Sequence, residues 1–260
     1  MIEHLPGFSP ITFHGDLTRY DHIVLSVSGG KDSHAMLFYV LQLAEKQHVR
    51  DRLKVVYADT GMEWHNAEAH VKRLCEAANV PLSVVYPVRP MLEKFILHFQ
   101  RIKGRIHTAG FPNPQCRYCT SNQKCDPMDK YIRTLSGRIL QVTGERRDES
   151  RNRAKLPDYG VIDRLCTKNR TVEGWRPMLE FETADVWAVV KESGIQRHVC
   201  YDLGCSRLGC AGCIFSRDWE LAIEMRENPA IFEALDRLEV DSGYTMSMSG
   251  KRIRDRISHA

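Results

Sequence analysis

Six consecutive residues, Ser28-Gly29-Gly30-Lys31-Asp32-Ser33, constrain this chain more than any other feature. They follow a short apolar run, His22 to Val27, in which Ile23, Val24, Leu25 and Val27 read as a buried strand. They precede His34 to Gln47, where Met36, Leu37, Val40, Leu41 and Ala44 recur at helical spacing. A strand that ends in two glycines and enters a helix leaves backbone N–H groups free at the helix N-terminus. With the helix dipole, these groups make an anion site. Gly29 and Gly30 let the backbone approach a phosphate closely. Ser28 and Ser33 offer hydroxyl donors, Lys31 a positive charge, and Asp32 a carboxylate able to orient Lys31 or to help hold Mg²⁺. The spacing is not the Walker A one, which sets four residues between Gly and Gly-Lys. A bare Gly-Gly pair would read as a turn with solvated charges; the strand before it and the helix after it favour phosphate binding.

The rest of the chain repeats this rhythm. Lys54 to Ala58, Leu82 to Tyr86 and Arg138 to Thr143 read as strands, and Asn66 to Asn79 as a helix. Such alternation predicts an α/β fold, a mostly parallel sheet with helices on both faces. Gly104 to Cys125, with its glycines, prolines and cysteines, reads as an irregular loop or lid. Met128 to Leu135 reads as a helix, Val172 to Arg176 as a short strand, and Thr183 to Ser193 as a helix with Thr183 as N-cap. His198 to Ser216 is a cysteine-rich loop, followed by helices at Asp218 to Arg226 and Pro229 to Leu238. Ser242 to Ala260 shows no clear period. A length of 260 residues suits an α/β domain over 1–215 with cysteine-rich inserts, and a helical extension over 216–260.

No stretch is long and apolar enough to span a bilayer. Met1 to Tyr20 lacks a basic-then-apolar signal pattern, so the expectation is a cytoplasmic protein with no membrane partner. A net charge of +4 permits an anionic partner without demanding one. The chain has nine cysteines, seven of them within 116–125 and 200–213. An odd, clustered count without a secretory signal argues against a disulfide scaffold and for a metal site or thiol chemistry. Cys116-x-x-Cys119 and Cys210-x-x-Cys213 can together coordinate zinc or an iron–sulfur cluster through four thiolates. Cys125 and Cys205 are able to replace Cys116 or join the set. Cys75 reads as a small buried hydrophobe, and Cys166 and Cys200 as structural. His34 is read as a surface residue within reach of phosphate. Lys251, Arg252, Arg254 and Arg256 read as a solvated tail or as contacts to a nucleic-acid backbone.

Residues 28–33 resemble the signature of the PP-loop ATP pyrophosphatases, which share the adenine nucleotide α-hydrolase-like fold. Further segments, in order between Ile23 and Phe215, resemble the phosphoadenylylsulfate (PAPS) reductase-like branch of that superfamily. They are Asp59-Thr60-Gly61; Cys119-Thr120 followed by Lys124, Pro127 and Tyr131; and Gly144-x-Arg146-x-x-Glu149-Ser150-x-x-Arg153. Trp175-x-Pro177 with Asp185-Val186-Trp187, and Tyr201-x-x-Gly204-x-x-Arg207-x-Gly209-Cys210-x-x-Cys213, complete the set.

The resemblance implies a site for ATP with Mg²⁺. Ser28, Gly29, Gly30, Lys31, Asp32 and Ser33 would hold the pyrophosphate, with Gly144 and Arg146 completing the site. Asp59, Thr60 and Gly61 would lie near the nucleoside, at the carboxyl ends of the strands. Lys31, Asp32 and Arg146 would be catalytic, with Glu149 holding Arg146. A [4Fe–4S] cluster on Cys116, Cys119, Cys210 and Cys213 is implied, with zinc as second choice. The implied enzyme adenylates an acceptor, a nucleic acid or a small molecule, and releases pyrophosphate. A sulfur nucleophile then displaces AMP, supplied by a partner such as a cysteine desulfurase or another sulfur donor. Reduction of phosphoadenylylsulfate or adenylylsulfate is the alternative. Sulfonucleotide reductases carry a C-terminal Glu-Cys-Gly motif, and this sequence has no cysteine after Cys213. A third reading, of another class, is a non-catalytic nucleotide-sensing subunit of a modification or defence complex.

Overall fold

Val24 and Leu25 are fully buried, and their strand, β1 (His22–Ser26), accordingly lies inside a sheet. The other strands are β2 (Leu53–Ala58), β3 (Leu82–Val85), β4 (Gly137–Val142), β5 (Tyr159–Val161) and β6 (Arg170–Trp175). In chain order the helices are α1 (Lys31–Lys46), α2 (Ala67–Ala78), α3 (Met91–Ile102), α4 (Tyr118–Thr120), α5 (Asp126–Ile132), α6 (Thr183–Glu192), α7 (Asp218–Glu227), α8 (Pro229–Ser242) and α9 (Ile253–Ile257). This computed structural model describes residues 16–102, 110–247 and 249–258. The chain forms two compact units that interleave along the sequence: Met1–Tyr57, Glu68–Val84 and Asp129–His198 in the first, and Ala58–Ala67, Val85–Met128 and Val199–Ala260 in the second.

The first unit is built on the sheet, in the order β3-β2-β1-β4-β6-β5. β1 pairs in parallel with β2, Ile23 opposite Leu53, and with β4, Ile23 opposite Leu140. β4 and β6 are also parallel; only the short β5, which the sequence pattern did not reveal, runs antiparallel, against β6. The sheet is thus mostly parallel, as the alternation of elements predicts, and it has the adenine nucleotide α-hydrolase-like arrangement. Strand order reverses between β1 and β4, and in open α/β sheets ligands bind beyond the carboxyl ends of strands at such a switch point. Two element boundaries differ from the sequence reading. Helix α1 starts at Lys31 rather than His34, because Gly30 in extended conformation is its N-cap. Helix α6 is capped by Glu182 rather than Thr183; the Asp185 carboxylate accepts the Glu182 N–H at 2.8 Å.

The second unit packs around an apolar cluster. Met91, Phe95, Phe99 and Ile102 lie on one face of α3, where the sequence reading had no helix. They pack with Met62, Phe111, Leu221, Met225, Leu235, Leu238, Met246 and Ile253. Phe95 and Phe99 meet Phe111 edge-on, at 5.3 and 4.9 Å between ring centroids. The expected loop from Gly104 to Cys125 is irregular only in part. Residues 104–109 lie outside the described residues, and from Tyr118 the chain is helical. There α4 runs through a π-helical stretch, Ser121–Cys125, into α5. Such π segments are rare and occur mostly at functional sites. The C-terminal stretch contains the short α9, which Ile253 anchors by burial in the cluster. Among the described residues, no helix is long and apolar enough to cross a membrane.

Candidate functional site

The first unit holds the phosphate loop. Gly29 has φ +80°, a left-handed conformation that turns the chain from β1 into α1 without a Cβ clash. Gly30 caps α1 with no side-chain hydrogen bond to the helix. The first turn therefore carries no side-chain cap, at the positive end of a sixteen-residue helix. Ser33 braces the turn: its Oγ donates to the Gly30 carbonyl at 3.0 Å, accepts the Ser28 N–H at 3.1 Å, and lies 3.2 Å from the Ser28 hydroxyl.

Arg146 and Asp32 come together across the switch point. The Arg146 guanidinium is 4% exposed, and its Nε donates to Asp32 Oδ1 at 2.6 Å. Its Nη1 donates to Asp148 Oδ2 at 2.6 Å and to the Phe181 carbonyl at 3.2 Å. Lys31 Nζ lies 3.3 Å from Asp32 Oδ2. Burial works against the charge on Arg146, but Asp32 and Asp148 outweigh it and raise its pKa. Both oxygens of Asp32 are thus engaged by cations, and these residues do not present a preformed protein site for Mg²⁺. Glu149 holds the backbone of Arg146, not its guanidinium. It accepts the Arg146 backbone N–H at 2.9 Å and pairs with Arg153, while Asp148, absent from the sequence reading, holds the guanidinium. Gly144 makes the approach possible: a Cβ there would sit 3.1 Å from the Asp32 carbonyl oxygen and 3.3 Å from Ser33 N.

Behind this loop lies a buried histidine group that the sequence did not reveal. His34 is not at the surface; it is 1% exposed, with Nε2 3.0 Å from Ser193 Oγ. Its ring lies 6.1 Å from that of His70, which lies 5.3 Å from that of His198. Burial, and then the neighbouring His70, push His34 down to about 4. Burial, and then Arg73, push His70 down to about 4. Both rings are therefore neutral at neutral pH.

The second unit carries the clustered thiols. Asp59, Thr60 and Gly61 follow β2, and Thr60 Oγ1 donates to Glu63 Oε1 at 2.9 Å. That carboxylate is a hub, missed in the sequence: it also pairs with Lys124 Nζ at 3.1 Å and accepts from Cys210 Sγ at 3.4 Å. Burial, and next the Glu63 carboxylate, push the Cys210 thiol above its ordinary range; burial also raises Cys213. Burial disfavours the Lys124 ammonium, but Cys210 and Glu63 more than offset this and keep it charged. Helix α7 pins the cysteine loop with buried carboxylates. Glu224 accepts from Gly212 N at 3.1 Å and Ser216 Oγ at 2.7 Å, and Glu220 from Ser206 N and Oγ at 2.9 and 2.6 Å.

The four-thiolate set is not gathered. Cys116 is exposed, its N–H bound to Asn113 Oδ1, and Cys119, Cys210 and Cys213 are half-buried. Among the described residues no three His, Cys, Asp or Glu side chains converge in a group able to hold a metal ion. Cys210 instead faces a carboxylate and an ammonium. Cys75, Cys200 and Cys205 are buried, and Cys166 Sγ lies against the Ile162 carbonyl and accepts the Val172 N–H of β6.

An uncharacterised protein of Methanocaldococcus jannaschii is 28% identical over 193 residues, 72% of this chain but only 40% of the relative's length. The adenosine 5'-phosphosulfate reductase of Neisseria meningitidis serogroup A is 24% identical over 205 residues, covering 77% of this chain and 70% of the reductase. The crystal structure of phosphoadenylyl-sulfate reductase from Candida auris, a phosphate complex, shares the fold. It superposes with a TM-score of 0.51 at 16% identity, over 80% of this chain and 91% of that one. Residues 22–215 match the phosphoadenosine phosphosulfate reductase domain, and the chain belongs to that family.

Proposed function

We propose that the chain is an ATP-binding enzyme of the PP-loop type that adenylates an oxygen of its acceptor with release of pyrophosphate, coupled to sulfur transfer. The observation that carries this reading is the buried Arg146 bound to Asp32, on the first turn of a helix whose N–H groups carry no side-chain cap. In this reading the pyrophosphate oxygens take the N–H groups of that turn and the hydroxyls of Ser28 and Ser33. Lys31 and Arg146 stabilise the charge that grows on the leaving pyrophosphate, and Asp32 keeps both cations in place. Mg²⁺, when it arrives with the nucleotide, supplies further charge neutralisation.

The sulfur half of the reading rests on the thiols of the second unit. Cys210 and Cys213 are held as neutral thiols by burial. The Lys124 ammonium beside Cys210 favours a thiolate whenever that proton leaves.

The test is pyrophosphate release from ATP, by wild type and by Lys31→Ala and Asp32→Ala variants. A loss of roughly a hundredfold in each is expected. Variants that bind and turn over nucleotide as wild type does would sink the proposal. Family membership and the Neisseria relative favour a second reading, reduction of a sulfonucleotide. Sulfite formed from adenylylsulfate and a thiol reductant, without ATP, would select it.

A further inference from the structure

The cysteine loop of the second unit ends on a side chain that burial does not explain. Phe215, two residues beyond Cys213, is 40% exposed. Two guanidinium groups lie over its ring, Arg117 at 5.2 Å and Arg207 at 5.9 Å from the centroid. The polar contacts of these arginines are slight. Arg117 Nη2 donates to Thr120 Oγ1 at 3.1 Å, and Arg207 Nη2 lies 3.9 Å from Cys213 Sγ. Among the described residues neither is paired with a carboxylate. The acids nearby are hydrogen-bonded or paired elsewhere: Glu220 accepts from Ser206, with Arg207 adding only a longer-range attraction, and Asp218 pairs with Arg256 Nε at 2.7 Å. Four residues after Phe215 a second ring, Trp219, is 39% exposed, and the exposed Arg217 stands between them in sequence.

The basic C-terminal run makes the contrast. Arg252 and Arg254 pair with Asp236 at 2.7 and 2.8 Å, and Arg256 with Asp218. That run, read from the sequence as a tail able to meet a nucleic-acid backbone, spends its guanidinium groups on holding α9 to its neighbours. Arg117 and Arg207, beside Phe215, make no salt bridge of that kind among the described residues.

We infer that Phe215, Arg117 and Arg207 form a stacking platform for a single-stranded nucleic acid. The inference rests on the proposed sulfur-transfer reading only in naming this strand as the acceptor. Exposed rings bracketed by cations suit a polyanion with free π-faces: bases stack on the ring and phosphates meet the guanidinium groups. A duplex hides its base faces, and an acidic protein segment would leave the ring without a partner. Arg207 contacts both the ring and the Cys213 sulfur, so a base on Phe215 lies beside a thiol of the cysteine loop.

The experiment is fluorescence anisotropy of the full chain with labelled 20-residue single-stranded RNA, single-stranded DNA and duplex DNA, at two salt concentrations. Preference for either single strand over duplex is expected, and the RNA and DNA arms tell which sugar is favoured. Phe215→Ala should weaken binding roughly tenfold, and Phe215→Trp should retain it. Arg207→Ala should weaken it and lower the salt slope by about 0.7. All three positions are exposed, and circular dichroism checks that the variants fold. No single-strand binding, equal binding to duplex, or binding indifferent to Phe215→Ala would each overturn the inference. Pyrophosphate release is measured in parallel without oligonucleotide. Release without strand binding defeats the platform alone; platform binding without ATP turnover defeats the functional reading alone.

Discussion

The phosphate loop and the thiol loop follow opposite building plans. The phosphate loop is six contiguous residues between a strand and a helix, and Arg146, distant in sequence, enters from the turn that follows the neighbouring strand of the same sheet. Its charges are paired and buried: two cations share one carboxylate, Asp32. The thiol loop is assembled from Thr60 and Glu63, from Lys124 in a π-helical turn, from Cys210, and from carboxylates of α7. No stretch of sequence contains it. A contiguous site on a sheet edge carries its geometry in local backbone preferences. An assembled site depends on long-range packing, and each member serves several partners.

The largest effect expected from breaking this contrast is at Arg146. Arg146→Ala leaves Asp32 and Asp148 without their shared guanidinium and should destabilise the protein by about 3–5 kcal/mol in urea unfolding. Arg146→Lys should recover only part, since an ammonium cannot reproduce the two-carboxylate fork. A cost under about 1 kcal/mol for Arg146→Ala would show that the pair is no keystone.

The two regions should also answer pH in opposite directions. His34 and His70 have folded values of about 4 against 6.5 unfolded. Their contribution is intact above 6.5 and lost as pH falls toward 4, on the order of 3 kcal/mol per ring. Glu224, despite its hydrogen bonds, is pushed up by burial to about 7 from 4.5. Its contribution is intact below 4.5 and lost as pH rises toward 7, again on the order of 3 kcal/mol. Burial raises Glu239 in the same sense. Hydrogen exchange, followed by mass spectrometry, should show α1 loosening and α7 tightening as pH falls from 7 to 5. Parallel slopes in both helices would erase the contrast.

A smaller effect sharpens the comparison within the thiol loop. Thr60→Val removes the hydroxyl that donates to Glu63 and accepts the Met62 N–H. It should cost about 1 kcal/mol, with faster alkylation of Cys210 as Glu63 loosens. Unchanged stability and unchanged alkylation would mean that Thr60 does not organise the hub.

Much of the first region was legible in the sequence. Apolar runs gave β1, β2 and β4, and the Gly-Gly pair located the turn into α1, because both depend on local backbone preferences. The start of α1 was misplaced by three residues, since Lys-Asp-Ser in a first turn looks like loop by composition. Asp148 was hidden because a guanidinium between two carboxylates can be recognised only once β4 lies beside β1. His34 looked polar and therefore exposed, yet Ser193, far along the chain, satisfies it in the interior. Helix α3 escaped although its buried residues, at positions 91, 95, 99 and 102, keep a helical spacing; apolar Leu92, Ile96 and Leu97 between them blur the amphipathic stripe.

The sequence by itself determined that strands and helices alternate, that a glycine turn joins the first strand to the first helix, and that thiols cluster in two windows. Those are matters of hydrophobic period, glycine conformation and spacing along the chain. Only the tertiary structure decided which charges meet: Arg146 with Asp32 and Asp148, Glu63 with Lys124 and Cys210, and the C-terminal arginines with Asp236 and Asp218. Pairing of that kind turns on a few ångströms between residues distant in sequence, and the Coulomb and desolvation energies that select it exist only once the core has excluded water.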